Sequence, residues 1–198
     1  MSSSPQSVAP ISVMDAINQR RSVRDYLPQK LDRPVIRALL AAAVRAPTAM
    51  HGEPWAFAIV QDANALKRFS DRAKVLFAEE AHRMHLDRGG HALDIFSHPD
   101  FNIFYNAGTL IVICGRPIGP FVAADCWLSA QNLMLAAYAM RLGTCVIGSA
   151  LLALNTPEGK AEAGIPSEFS AFASIIVGVP RGETPLTTRK EPQILVWK

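Results

Sequence analysis

The sequence predicts an α+β fold, and three observations predict it. Continuous apolar runs at WAFAIV (55–60), TLIVIC (109–114) and FASIIVGV (172–179) read as buried strands. Segments with apolar residues at helical spacing precede and separate them. The order is helices, strand, helices, strand, long helix, strand, helix, strand, tail. That is not a regular βαβ alternation, so a doubly wound parallel sheet is not expected. The 198 residues, 49% of them hydrophobic, suffice for one core. No repeat or linker divides them. One domain is therefore expected over 12–198, after a disordered lead at 1–11. Within that lead, MSSSPQSVAP has no apolar stretch of the secretory type.

Taken in order, Ser12-Val-Met-Asp15 reads as a capping box that opens a helix running to about Arg21. Its apolar stripe is Val13, Met14 and Ile17. Asp32-Arg-Pro34 opens a second helix, with proline where a missing N–H costs little. Ile36, Leu39, Leu40 and Ala43 follow the 3.6 period, and Pro47 closes it. After the strand 55–60, Asp62 caps a helix carrying Leu66 and Phe69, and 74–88 continue helically. Gly89, Gly90 and Pro99 make 89–102 a loop with local helix. After the strand 109–114 comes a long apolar helix, 121–142, with Gly143 as its C′ residue. TCVIG (144–148) is a short strand, 157–163 a short helix opened by Pro157, and 172–179 the last strand.

Several functions are excluded. The net charge of +3 is scattered and forms no basic block, so nucleic acid is not an expected partner. Residues 121–140 could span a bilayer by length, but Asp125, Ser129, Gln131 and Asn132 are costly in lipid. That segment reads as a helix buried in a core or subunit interface, with no membrane partner. Cys114, Cys126 and Cys145 are odd in number and set among apolar residues, as reduced thiols of a cytoplasmic protein are. Cys145 reads as an inert buried thiol, not a nucleophile. There is no GxGxxG, P-loop or GxSxG signature. His82, His85, His91 and His98 lack a partner at zinc spacing, so no metal is expected.

INQRRSVRDY (17–26) concentrates fixed positive charge. Arg20 and Arg21 suit the C-terminus of a helix, which stabilises cations by about 0.3–1 kcal/mol. Ser22 and Arg24 lie beyond that turn. Arginine's planar fork with a serine hydroxyl suits a phosphate dianion. On chemistry alone the two readings stand equal.

A second stretch, RAPTAMHGEPWAF (45–57), is by itself only a turn between helix and strand. Together, INQRRSVRDY and RAPTAMHGEPWAF resemble the opening of the nitroreductase family of flavin enzymes, whose members commonly read RRSxR and then APSxxNxQPW. ADCWLSAQNLMLAAYAMRLGTCVIGS resembles the family's long central helix followed by G-x-x-W/V-I-G. FNIFYNAGTLIVIC and VGVPRGETPLTTRKEP resemble an internal strand and the arginine-bearing tail. The resemblance spans about 12–195, while 62–100 match nothing in particular.

The resemblance implies a mainly antiparallel sheet flanked by helices, in an intertwined homodimer with the C-terminal tail exchanged. It implies a non-covalent FMN. Hydride would pass from NADH or NADPH through FMN to a small-molecule acceptor such as a nitroaromatic or quinone, by a ping-pong mechanism. Alternatives are a specialised dehydrogenase, reductive dehalogenase or flavin-fragmenting member, or a flavin-binding protein without turnover. By motif position, Arg20 and Ser22 would take the phosphate and ribityl side, with Arg21 at the turn and Arg24 at the N1–O2 edge of the ring. Arg189 would be the second phosphate arginine, beside Lys190. Ile147, Gly148 and Ser149 match the segment facing N5 and O4. Thr48, Met50 and His51 match the turn that reaches the partner's flavin, and Gln131 lies in its surroundings. No protein side chain is implied as catalytic, since the flavin carries the chemistry. His51 stands where the family has Asn, and Glu53 where it has Gln. Acceptor choice is expected to lie in 70–105.

Overall fold

The computed structural model describes residues 10–83 and 94–198. Most of the expected lead, the end of the 74–88 helix, the start of the 89–102 loop, and His85 and His91 lie outside the described residues. Among the described residues four strands form one antiparallel sheet in the order β1-β2-β4-β3. They are β1 (Trp55–Val60), β2 (Thr109–Gly115), β3 (Gly143–Val146) and β4 (Ser170–Gly178).

β2 and β4 lie in the middle and are covered on both faces, which is why they read as unbroken apolar runs. Leu110, Val112 and Cys114 of β2 join Ile176 of β4 on one face. Ile111 and Ile113 join Ala173, Ile175 and Val177 on the other. The first face is packed by α3 (Ala63–Arg83), through Leu66, Phe69 and Ala73, and by α6 (Ala150–Leu154). The second is packed by α2 (Arg33–Ala43), through Ile36 and Leu39, and by α5 (Val122–Ala139), through Cys126, Ala130 and Leu133. α4 (Asp94–Ser97) is a single turn inside the expected loop.

The caps follow from local chemistry. The Ser12 hydroxyl accepts the Asp15 N–H at 3.1 Å and opens α1 (Val13–Gln19). Asp62 accepts the Ala65 N–H at 2.7 Å and opens α3, which continues unbroken across position 74. α7 (Pro157–Ala163) has proline first, the Thr156 hydroxyl accepting the Gly159 N–H at 2.9 Å, and a left-handed Gly164 after its end.

Two sequence expectations need correction. Gly143 is not the C′ residue of α5. The helix stops at Ala139, Arg141 takes the left-handed conformation at φ 62°, and Gly143 opens β3. It is glycine because a Cβ there would sit 2.7 Å from Val23 Cγ2. α6 was not expected, because ALLAL is apolar all round and too short to show a period. The α1 stripe Val13, Met14 and Ile17 is exposed, and Ala16 is the buried residue of that helix. Trp127 and Leu128 on α5 are exposed as well. No helix among the described residues is long and apolar enough to cross a membrane.

Candidate functional site

The arginine segment is laid along the β3 edge of the sheet. Ser22 bridges Thr144 in parallel, and the Val23 N–H donates to the Thr144 carbonyl at 3.0 Å. Tyr26 bridges Pro180, and the Leu27 N–H donates to the Val179 carbonyl at 2.9 Å. Val23 and Tyr26 turn inward, and the buried Tyr26 hydroxyl donates to the Val23 carbonyl at 2.8 Å. Ser22 and Arg24, between these anchors, are left exposed. The apolar residues inside RRSVRDY thus fix the direction of its polar ones.

Arg20, Ser22 and Arg24 gather around Cys145 of β3. Burial pushes the Cys145 thiol up, while Arg24, a hydrogen bond from Ser22, and Arg20 pull it down. The thiol is buried and free. Arg20 is half-buried, and its guanidinium pKa is depressed first by that burial, then by the charges of Arg189 and Arg21. Arg189, which belongs to the tail, therefore lies within electrostatic reach of Arg20 near the start of the chain. Among the described residues none of Arg20, Arg21, Arg24 or Arg189 pairs with a carboxylate. Asp25, adjacent in sequence, takes Arg181 instead at 3.1 Å. Arg21 turns back on its own backbone, donating to the Asn18 and Arg20 carbonyls at 2.7 and 2.8 Å. Arg24 lies 6.0 Å from the centroid of the Tyr105 ring, a cation–π distance. Unopposed cations held this close are costly unless an anion joins them.

The chain then leaves β3 through Ile147, Gly148 and Ser149. Ile147 is pinned, its N–H donating to the Ser174 carbonyl at 2.9 Å and its carbonyl accepting the Ser174 hydroxyl at 2.5 Å. Gly148 and Ser149 donate their N–H groups to no acceptor among the described residues. A Cβ on Gly148 would meet nothing within 4 Å. This leaves two backbone donors beside open space, where a planar group can approach the main chain.

Thr48, Met50 and His51 lie elsewhere. Ala49–His51 form one 3-10 turn leading into β1, the opposite edge of the sheet from β3. At about 4.8 Å per strand, the two edges stand roughly 14 Å apart. Met50 and His51 have φ values of 55° and 54°, and Met50 is 92% exposed. A cavity of about 520 Å³ lies beside this turn, between Met50, Glu53, Trp55, Arg116, Phe121 and Asp125. Gln131 stands exposed on α5, and Lys190 stands exposed beside Arg189. The structure therefore joins Arg20, Ser22 and Arg24 near Cys145, with Arg189 within electrostatic reach of Arg20 and Ile147–Ser149 continuing from the same strand. It does not bring Thr48, Met50 and His51 to that group within one chain.

Two contributors escaped the sequence. Tyr105 sits over Arg24, and nothing in FNIFYNAG marks that contact. Asp125 accepts the Ala49 N–H at 3.2 Å. Its signal was an acid in an apolar helix, read only as an argument against membrane insertion.

The nitroreductase family model matches residues 17–179, which takes in the arginine segment, the turn, the whole sheet and the β3 exit loop. A protein of Methanothermobacter thermautotrophicus named "Putative NADH dehydrogenase/NAD(P)H nitroreductase" is 26% identical over 184 residues, covering 91% of this chain and 83% of its own. The crystal structure of a nitroreductase with bound FMN from Bacteroides fragilis is 25% identical with a TM-score of 0.79, covering 94% of this chain and 98% of that one. A structure of iodotyrosine deiodinase bound to FMN and 3-iodo-L-tyrosine shares the fold at 22% identity and a TM-score of 0.72, covering 92% of this chain and 97% of that one. With a match that runs from the first arginines to the end of the last strand, the chain belongs to the nitroreductase family.

Proposed function

We propose that this chain is a cytoplasmic, homodimeric, FMN-dependent NAD(P)H oxidoreductase. The observation that carries the reading is the gathering of Arg20 and Arg24 at Cys145 with Arg189 close enough to act on Arg20, unopposed by any carboxylate among the described residues, on a strand that exits through two unused N–H groups. The residues present fit the group. A phosphate dianion answers the unpaired arginines. A ring with acceptor atoms answers the Gly148 and Ser149 donors, and the space where Gly148 lacks a Cβ admits it. FMN supplies two-electron exchange between a reduced nicotinamide and an acceptor such as a nitroaromatic or quinone, each taken in turn by one pocket.

The protein's part is to bind, orient and polarise. Arg20 and Arg189 hold the phosphate, and Ser22 the ribityl side. Arg21 braces the segment from behind through its backbone bonds. Arg24 places its charge where electron density builds on reduction. Thr48, Met50 and His51 complete the site from the second subunit, in keeping with their position on the far edge of their own sheet. The exposed Val13, Met14, Ile17, Trp127 and Leu128 on the neighbouring helices α1 and α5 supply an apolar face for that subunit. The tail beyond Arg189, with exposed Ile194, Leu195 and Trp197, is suited to cross onto it.

The testing experiment is anaerobic mixing of the purified yellow protein with NADH or NADPH, followed by a panel of acceptors. Bleaching at 1:1 stoichiometry, then recolouring by a quinone or nitroaromatic, is expected. A colourless protein that takes up no FMN, or one that stays yellow with both nucleotides, refutes the reading.

Arg24 gives a sharper expectation. A unit charge about 4 Å away at an effective dielectric near 20 interacts by about 4 kcal/mol. Arg24 is exposed, so solvent reduces the net effect to about 1–2 kcal/mol. Arg24→Gln is therefore expected to lower the two-electron midpoint potential by roughly 20–40 mV, with FMN affinity little changed. A dye-coupled redox titration measures it. An unchanged or higher potential places Arg24 away from the ring.

A further inference from the structure

We infer that Asp125 is the positioning residue of the turn that carries Thr48, Met50 and His51, an inference that rests on the reading of that turn as part of the flavin site. Asp125 lies in the first turn of α5 and is only 5% exposed. Among the described residues no cation pairs with it, and its carboxylate takes part in one hydrogen bond, accepting the Ala49 N–H at 3.2 Å. A buried carboxylate without a counter-charge is costly unless its hydrogen bonding is used. Here the use is a backbone donor 76 positions away in sequence.

The tethered segment is one that needs holding. Met50, His51 and Glu53 take φ values of 55°, 54° and 39°, and none is glycine. Such conformations persist only where the surroundings over-determine them. The turn has little of its own to do this. Thr48 makes no side-chain cap, Met50 points to solvent, and the internal backbone bond is Gly52 N–H to the Ala49 carbonyl at 3.0 Å. α5 grips the same stretch again two turns on, where Asn132 Nδ2 donates to the Ala42 carbonyl at 3.4 Å. One helix thus fixes the chain at Ala42, where α2 is ending, and at Ala49, where the turn begins. Asp125 is not a catalytic residue, because it acts through the turn.

The test uses the full-length protein loaded with FMN and three variants. Asp125→Asn keeps an acceptor of the same length. Asp125→Ala removes it. Asp125→Ser, polar but too short to reach Ala49, serves if alanine does not fold. Two quantities are read: deuterium exchange of the peptide covering 48–53, and the FMN dissociation constant. Losing one hydrogen bond to a charged acceptor is expected to speed exchange and raise the dissociation constant by about tenfold each in Asp125→Ala or Asp125→Ser. Asp125→Asn is expected to stay within about threefold in both, a rescue that a general packing defect would not show. Unchanged exchange in 48–53 on removal of the carboxyl overturns the inference, as does failure of Asp125→Asn to rescue it. Faster exchange with unchanged FMN affinity shows that the turn lies away from the flavin, and overturns the site reading on which the inference rests.

Discussion

Arg20→Ala is expected to weaken FMN binding by one to two orders of magnitude, and Arg189→Ala by a similar factor. A hydrogen bond to a charged partner contributes about 1.5–3 kcal/mol, and each 1.4 kcal/mol is a factor of ten in affinity. Arg20 is the half-buried member of the cluster and already sits in the field of Arg189. Removing either arginine also relieves repulsion on the other, so the double variant should lose less than the sum of the single losses. Without cofactor, that same relief should leave the apoprotein as stable as the parent or slightly more so. Fluorescence titration of apoprotein with FMN measures the affinity, and thermal melts of the apoprotein measure the repulsion. Full flavin retention in both single variants would show that the phosphate lies elsewhere.

Gly143→Ala should damage both the fold and the site. Its Cβ would fall 2.7 Å from Val23 Cγ2, 2.9 Å from Val23 Cβ and 3.0 Å from Pro180 Cγ. Val23 is the inward anchor of the arginine segment, and its N–H pairs with Thr144, the next residue of β3. Overpacking of this kind costs about 1–3 kcal/mol. For a chain of this size that lowers Tm by roughly 3–10 °C. The displaced segment carries Arg20, Ser22 and Arg24, so FMN affinity should fall with it. Gly148→Ala is the contrast. Its Cβ meets nothing within 4 Å, so the apoprotein Tm should not move, while FMN affinity drops because the added methyl occupies the approach to the backbone donors. Equal effects of the two substitutions on the apoprotein would contradict this account.

Much of the fold could be read locally. The strand runs 55–60, 109–114 and 172–179 lie in β1, β2 and β4 to within a residue or two, and for β2 and β4 the reason is that double-sided burial writes an unbroken apolar signature. The caps at Ser12, Asp62 and Thr156 are contacts over three residues, within reach of a sequence pattern. The end of α5 was misread because Gly143 satisfies two explanations. A glycine after a helix is a C′ residue by base rate, and only Val23, 120 positions away, makes it a close-approach glycine. The exposed α1 stripe shows the same limit, since periodicity shows that a face is apolar and not what covers it.

For the site, the sequence by itself determined the residue types: RRSVR, the turn with His51 and Glu53, and Arg189 near the end of the chain. These are set by short segments whose chemistry is legible without coordinates. Tertiary structure alone decided which of them meet. It brought Arg189 to Arg20, kept the neighbouring Asp25 away by pairing it with Arg181, and set Tyr105 over Arg24. It also placed the turn on the opposite sheet edge from the arginines and tied it to Asp125. The physical reason is that strand order and side-chain direction arise from packing two faces of one sheet at once. That constraint acts between residues far apart in sequence, and no local pattern records it.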